Sequence, residues 1–243
     1  MSKVVSLRHS SQIVLAALGG LVLFAATARA EQKSWNLASE FGSLAKNPAP
    51  DKYGHKAVWY YSVGRPDRLK YPNLKYFFGA PAVEAACGIK EVYEWAQQER
   101  VEGVPAVWYN AGPTVEEGQD LCAPYVTLPT KTVFMHPKIG TPGSSVVYDA
   151  VVRWKSYVTG TVTVSGSVQL VDSYPAKGIS WGLDRGETRL LGPTETSETN
   201  LMSFGPTTVS VVSGEYLNLE VGRERAVFGY YDSTAVSLTI TFP

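Results

Sequence analysis

Histidine and cysteine are scarce in this sequence. Its 243 residues include three histidines and two cysteines. His9 lies in the first thirty residues, so the rest of the chain holds only His55 and His136. They are far apart in sequence, and neither belongs to an HExxH or HxH spacing. The ligand set of a zinc hydrolase, several side chains plus a general base, is missing. A Gly-x-Ser-x-Gly nucleophile elbow is absent too. Cys87 and Cys122 have no CxxC partner and no neighbouring histidine, which disfavours a cysteine metal site. An excess of positive charge is also lacking: 22 Lys and Arg face 22 Asp and Glu. That balance argues against a nucleic-acid binder, which needs a basic surface.

Long apolar runs are confined to the start. Lys3, Arg8 and His9 precede a run of fourteen apolar residues and glycines, Ile13 to Ala26, and Ala28-Arg29-Ala30 follows as a small-x-small cleavage signal. This pattern predicts a secretory signal peptide over 1–30, the run being short for a membrane span. Cleavage after Ala30 leaves 31–243 as one β-sandwich domain with no further membrane span, secreted or periplasmic. The remainder holds 19 Lys and Arg against 22 Asp and Glu, a net charge of about −3. In an oxidising compartment Cys87 and Cys122, 35 residues apart, are expected to bridge. Closing that loop stabilises by roughly 3 to 4 kcal/mol in the chain-entropy view.

What the chain does have is alternation. In TVTVSGSVQL, Val162, Val164, Val168 and Leu170 alternate with Thr161, Thr163, Ser165, Ser167 and Gln169. This is the period of a strand with one buried face. Gly166 falls on the inward face, where a bulge or a large neighbour is expected. Val152 with Trp154, then Ile179 with Trp181 and Leu183, then Leu217 with Leu219 and Val221 repeat the pattern. Asp184-Arg185-Gly186 reads as a hairpin tip, and GPTETSETN as a polar loop. The closing stretch YYDSTAVSLTITFP alternates through Val236, Leu238, Ile240 and Phe242. Strands about ten residues apart with turn signals between them predict an all-β antiparallel sandwich with long loops. At most one or two short helices are expected. The first half is less regular. Strands are predicted at Trp35–Phe41, Ala57–Val63, Val104–Tyr109 and Thr132–Met135, and a short helix over Val83–Gln98 that Gly88 weakens.

Several of these segments resemble a family. VVRWKSYVTGTVTVSGSVQLVD, the preceding VFMHPKIG, SGEYLNLEVG and DSTAVSLTITF are similar to strands of exported bacterial jelly-roll proteins. Those are galactose-binding-like or carbohydrate-binding-module-like proteins, mostly of unassigned function. The resemblance covers 132–243 and, more loosely, 35–64. It implies a jelly-roll sandwich and suggests carbohydrate binding. This chain has Ala176-Lys177-Gly178-Ile179 where many members carry a Gly-Asp-Gly-Val-like turn, so an acidic metal ligand there is missing.

The aromatic inventory of the first half supports the same expectation. Sugar rings present apolar C–H faces that stack on Trp and Tyr, while polar neighbours bond the hydroxyls. Trp59, Tyr61, Trp108 and His55 are the candidate ligand-binding residues, although core packing is the usual role of aromatics in a sandwich. Only half of Trp59-Tyr60-Tyr61 can face the core. Glu84, Glu91, Glu94 and Asp120 are candidate carboxylates for a glycan-cleaving enzyme, which needs two acids facing each other. No other cofactor is expected, but Asp172, Asp184 and Asp232, each at a strand end, are calcium candidates if they converge. The expected function is non-catalytic binding of a glycan or cell-envelope component. The alternatives are a polysaccharide hydrolase or lyase, and a structural envelope protein. Asp232-Ser233-Thr234 reads best as a strand-entry turn.

Overall fold

Thirteen strands and two short helices make up the described part of the chain. The computed structural model describes residues 31–41, 46–64, 71–97, 105–116, 126–137, 148–172, 178–197, 199–223 and 232–243. The expected signal peptide (1–30), Cys122 and Asp120 lie outside these residues, as does the turn at Ala176 and Lys177. The side chain of Cys87 is also outside them, and the Cys87–Cys122 bridge therefore remains an expectation.

In chain order the elements are β1 (Lys33–Asn36), α1 (Leu37–Glu40), β2 (Trp59–Gly64), β3 (Tyr76–Phe78), α2 (Ala80–Cys87), β4 (Val92–Ala96), β5 (Ala106–Asn110) and β6 (Thr132–His136). They continue with β7 (Asp149–Lys155), β8 (Gly160–Leu170), β9 (Ile179–Arg185), β10 (Thr188–Thr196), β11 (Met202–Val211), β12 (Tyr216–Arg223) and β13 (Thr234–Phe242). The first sheet runs β11-β8-β13-β6-β5-β4-β3, with β1 also on β13, and the second runs β10-β9-β12-β7-β2. Every strand pairing is antiparallel. The chain is the antiparallel β-sandwich the alternation predicts.

The closing strand β13 is central to the first sheet. One edge pairs with β8 from Thr234 to Thr241. Its other edge is shared: Thr234–Val236 pair with β6, and Thr239–Phe242 with β1. Val236, Leu238 and Ile240 are buried and meet the inward residues of the second sheet. Those include Trp59, Tyr61, Val152, Trp154, Leu183, Leu217, Leu219 and Val221. Gly166 has the large neighbour its position implies. A Cβ there would lie 2.5 Å from the Phe204 ring and 2.2 Å from the Ser237 carbonyl.

Three local expectations need correction. The helix expected over 83–98 ends at Gly88, whose φ of +80° caps α2, and Val92–Ala96 becomes β4. The strand expected at Trp35–Phe41 stops at Asn36, whose side chain caps α1 by accepting from Ser39 N–H. GPTETSETN is a strand as far as Thr196, because β10 bulges at Gly192-Pro193 and then resumes pairing with β9. Strand β11 bulges at Gly205-Pro206 in the same way. Both are edge strands, and a proline bulge removes a donor and breaks the flat ladder another chain would need.

A second, smaller apolar cluster lies on the opposite face of β4–β6. There Val83 and Ile89 pack with Val92, Phe134, Val126, Leu128 and Ala235.

A candidate ligand-binding face on the second sheet

Strand β2 divides its aromatic triplet as alternation demands, but in the opposite phase from the one expected. Trp59 and Tyr61 have no exposed surface. Trp59 pairs with Trp154 and Tyr61 with Val152, so both point into the core with those residues. The indole Nε1–H of Trp59 donates to Glu40 at 2.7 Å, and the hydroxyl of Tyr61 donates to the Phe41 carbonyl at 2.9 Å. Neither offers a face to a ligand. Burial pushes the Glu40 carboxyl upward, and the Trp59 bond offsets this in part.

Tyr60 is the member that faces outward, onto the outer surface of the second sheet. One row across that surface reads Tyr60, Arg153, Asn218, Asp184, Arg189. The Arg153 guanidinium lies 4.0 Å from the Tyr216 ring centroid, 5.1 Å from Tyr71 and 5.8 Å from Tyr60. Its Nε–H donates to Asn218 Oδ1 at 3.1 Å and its Nη1–H to the Tyr71 carbonyl at 3.2 Å. Tyr60 and Tyr216 meet edge to face at 5.4 Å. All four side chains are half-buried, leaving part of each to solvent. Burial and the neighbouring Tyr216 hydroxyl push the Tyr60 phenol well up, so it stays a neutral donor at ordinary pH.

His55 joins this band at one end. Its ring stacks on Tyr157 with centroids 4.1 Å apart and planes at 17°. Asp51 fixes it there, with His55 Nδ1 at 2.7 Å from Oδ2. The Trp35 indole shares that oxygen, also at 2.7 Å, and Oδ1 takes the backbone N–H groups of Tyr53 and His55. Burial pushes the Asp51 carboxyl up, but the bonds from His55 and Trp35 outweigh it and its pKa falls below the usual value.

Carboxylates fill the other end. Tyr71 reaches in over Gly64, and Arg189 over Gly182. A Cβ at these glycines would lie 3.3 Å from the Tyr71 ring and 1.4 Å from Arg189 Nη1, so a larger residue at 182 would displace the Arg189 guanidinium. Both side chains converge on Glu220. The Tyr71 hydroxyl donates to Oε1 in a very short bond, and Arg189 Nη2 lies 3.1 Å from Oε2. Arg189 Nε also holds Asp184 Oδ1 at 2.5 Å. Burial and then the charge of Glu220 raise the Asp184 carboxyl, with Arg189 opposing them. Asp149 is raised to about 6 by burial and by Glu220.

The remaining candidates lie elsewhere. Trp108 is half-buried on β5, with the smaller cluster, on the other sheet. Glu94 is buried on the same side, while Glu84 pairs with Lys90 at 3.9 Å at the surface. The calcium candidates do not converge: Asp184 belongs to the second sheet, whereas Asp172 and Asp232 lie together where β8 ends and β13 begins. Asp172 accepts from the Ser233 N–H in a very short bond. Two carboxylates fall short of the roughly six to eight oxygens calcium takes. Among the described residues no group of three or more His, Cys, Asp or Glu is arranged for a metal. Asp232-Ser233-Thr234 is a strand-entry turn, with Ser233 O accepting from Val171 N–H at 2.9 Å and Thr234 Oγ1–H donating to Asp232 O at 3.0 Å.

No protein-family model and no curated protein sequence matches this chain. It is similar to the solved structure of CBM35 from Paenibacillus barcinonensis, at 12% identity and a TM-score of 0.26, over 70% of this chain and 100% of that one. It is similar also to the Arthrobacter globiformis T6 isomalto-dextranase complexed with panose, at 10% identity and a TM-score of 0.26. That match covers 87% of this chain and 32% of that one, so this chain spans about a third of its length. At these scores neither likeness carries an argument about ligand or chemistry.

Proposed function

We propose that this protein is an exported, non-catalytic binding protein that recognises a carbohydrate of the cell envelope or its surroundings on the outer face of the second sheet. One observation carries the reading. Half-buried Tyr60, Tyr216 and Tyr71 surround the Arg153 guanidinium, and His55 stacked on Tyr157 extends the aromatic band. Such a band supplies apolar ring faces for sugar C–H groups. Tyrosine hydroxyls and guanidinium N–H groups beside them supply donors for sugar oxygens. Placement of Tyr60, Arg153 and Tyr216 on strands fixes them more firmly than a loop would. The test is a glycan panel read by titration calorimetry with wild type and Tyr216→Ala. Binding in wild type that weakens tenfold or more in the variant supports the reading. A panel with no bound glycan overturns it.

A second reading, a glycan-cleaving enzyme, is favoured by the pairing of Asp149 with Glu220. Two neighbouring carboxyl groups in different environments can divide acid and base roles. Asp149, raised to about 6, would donate the proton, and Glu220, held by Tyr71 and Arg189, would be the second carboxylate. Release of reducing ends from a polysaccharide mixture, abolished in Asp149→Asn, is its signature. Silence on a broad panel counts against it.

A further inference from the structure

Beside the aromatic band, where the outer edge of β2 bonds the segment leading to β3, lies an open cleft of about 730 Å³. Lys46, Lys56 and Lys75 line it, from three separate segments. All three are exposed, and among the described residues none forms an ion pair. Among the described residues no carboxylate lines the cleft. This is a concentration of one sign on a chain whose charge is otherwise balanced.

The frame beneath the lysines is stiff. The Asn47 carboxamide donates to the Tyr61 carbonyl at 2.6 Å and the Leu74 carbonyl at 2.9 Å, and accepts from Tyr61 N–H at 3.0 Å. Those bonds tie the 46–48 and 72–75 segments to β2. Trp95 forms part of the wall, only 5% exposed, and its indole N–H is buried without an acceptor.

We propose that this cleft is an anion-recognition site that takes the sulfate or carboxylate groups of an acidic polysaccharide. Ammonium groups act as point charges and suit anions of varied geometry. Three of them, unpaired and facing a common concavity, raise the local concentration of an anionic ligand. The shape favours a chain over a free ion: the cleft is open, and it adjoins the band. Lys56 follows His55 directly, and Pro72 follows Tyr71, so a polymer lying on the aromatic band continues into the cleft. The proposal extends the glycan reading above by naming the class of glycan.

The test measures retention and affinity on dextran sulfate, polygalacturonate and neutral dextran, with inorganic phosphate as a free-ion arm. The variants are Lys46→Gln/Lys56→Gln/Lys75→Gln and a charge-matched control, Lys52→Gln/Lys90→Gln/Lys131→Gln. All six lysines are exposed, so both variants should fold. Expected is a tenfold or greater loss for an acidic polymer in the first variant and less than twofold in the control, both effects shrinking with added salt. Equal loss in both variants, or phosphate competing as well as the polymer per anionic group, overturns the proposal. Wild type that binds neutral but not acidic glycans overturns the cleft alone and leaves the band reading intact. Acidic binding that depends on the lysines but not on Tyr216 supports the cleft and counts against the band.

Discussion

Replacing Asp172 by Asn should stabilise this protein, and by an amount that depends on pH. Asp172 is 4% exposed and accepts from the Ser233 N–H. Burial raises its pKa most, the bonds from Ser233 lower it, and the charge of Asp232 raises it again, to about 7. In the unfolded chain the carboxyl titrates at its ordinary value, 3.8. The folded state therefore binds the proton more tightly. Its stabilising effect is complete below about pH 4 and is lost as pH rises through about 7. A difference of about three units corresponds to about 4 kcal/mol, an upper bound once local relaxation is allowed. Asn is neutral throughout and keeps an oxygen for the Ser233 N–H. The gain from Asp172→Asn should be near zero at pH 3 and approach 4 kcal/mol, or roughly 8 to 16 °C in Tm, at pH 8. Urea unfolding of both proteins across that range measures it. A gain independent of pH, or a loss at pH 8, would refute the assignment of a buried, proton-holding carboxyl.

Other substitutions test the frame that carries the site. Trp59→Ala should cost about 3 to 5 kcal/mol in urea unfolding, because it empties a fully buried site and leaves Glu40 without its donor. A cost below 1 kcal/mol would contradict its place in the core. Asn47→Ala removes the partner of three backbone groups and should cost about 2 to 3 kcal/mol in the same assay. Gly205→Ala should cost roughly 1 to 3 kcal/mol by thermal unfolding, since φ is +79° and the new Cβ would lie 2.3 Å from the Val164 carbonyl. A neutral result there would mean that the β11 bulge relaxes freely.

The fold was legible where strands are regular. In β7, β8, β9, β12 and β13 the inward residues follow the period of two, and Val162, Leu183, Leu219 and Ile240 are all buried as that period requires. Alternation says which residues share a face, not which face is inward. For Trp59, Tyr60 and Tyr61 the phase is decided by a partner about a hundred residues away, where Trp59 meets Trp154. Composition cannot tell Tyr60 from Tyr61, yet Tyr60 is the one that faces outward. A signal was present in Arg153 and Lys155. Charged residues alternating with Val152 and Trp154 mark the outer face of β7, and whatever pairs beside Arg153 shares that face. The converging carboxylates were hidden for a similar reason. Asp149, Asp184 and Glu220 come from three strands and meet only through sheet order. Strand β4 was masked by helical spacing around Gly88, because a short apolar run fits either period.

The central claim is that the ligand lies on the outer face of the second sheet, across Tyr60, Arg153 and Tyr216, and not beside Trp108 on the other sheet. The most direct measurement compares the affinity of wild type, Tyr216→Ala and Trp108→Ala for one bound glycan, with circular dichroism confirming that each is folded. The account predicts a tenfold or greater loss for Tyr216→Ala and less than twofold for Trp108→Ala. Loss with Trp108→Ala and full binding with Tyr216→Ala would contradict it.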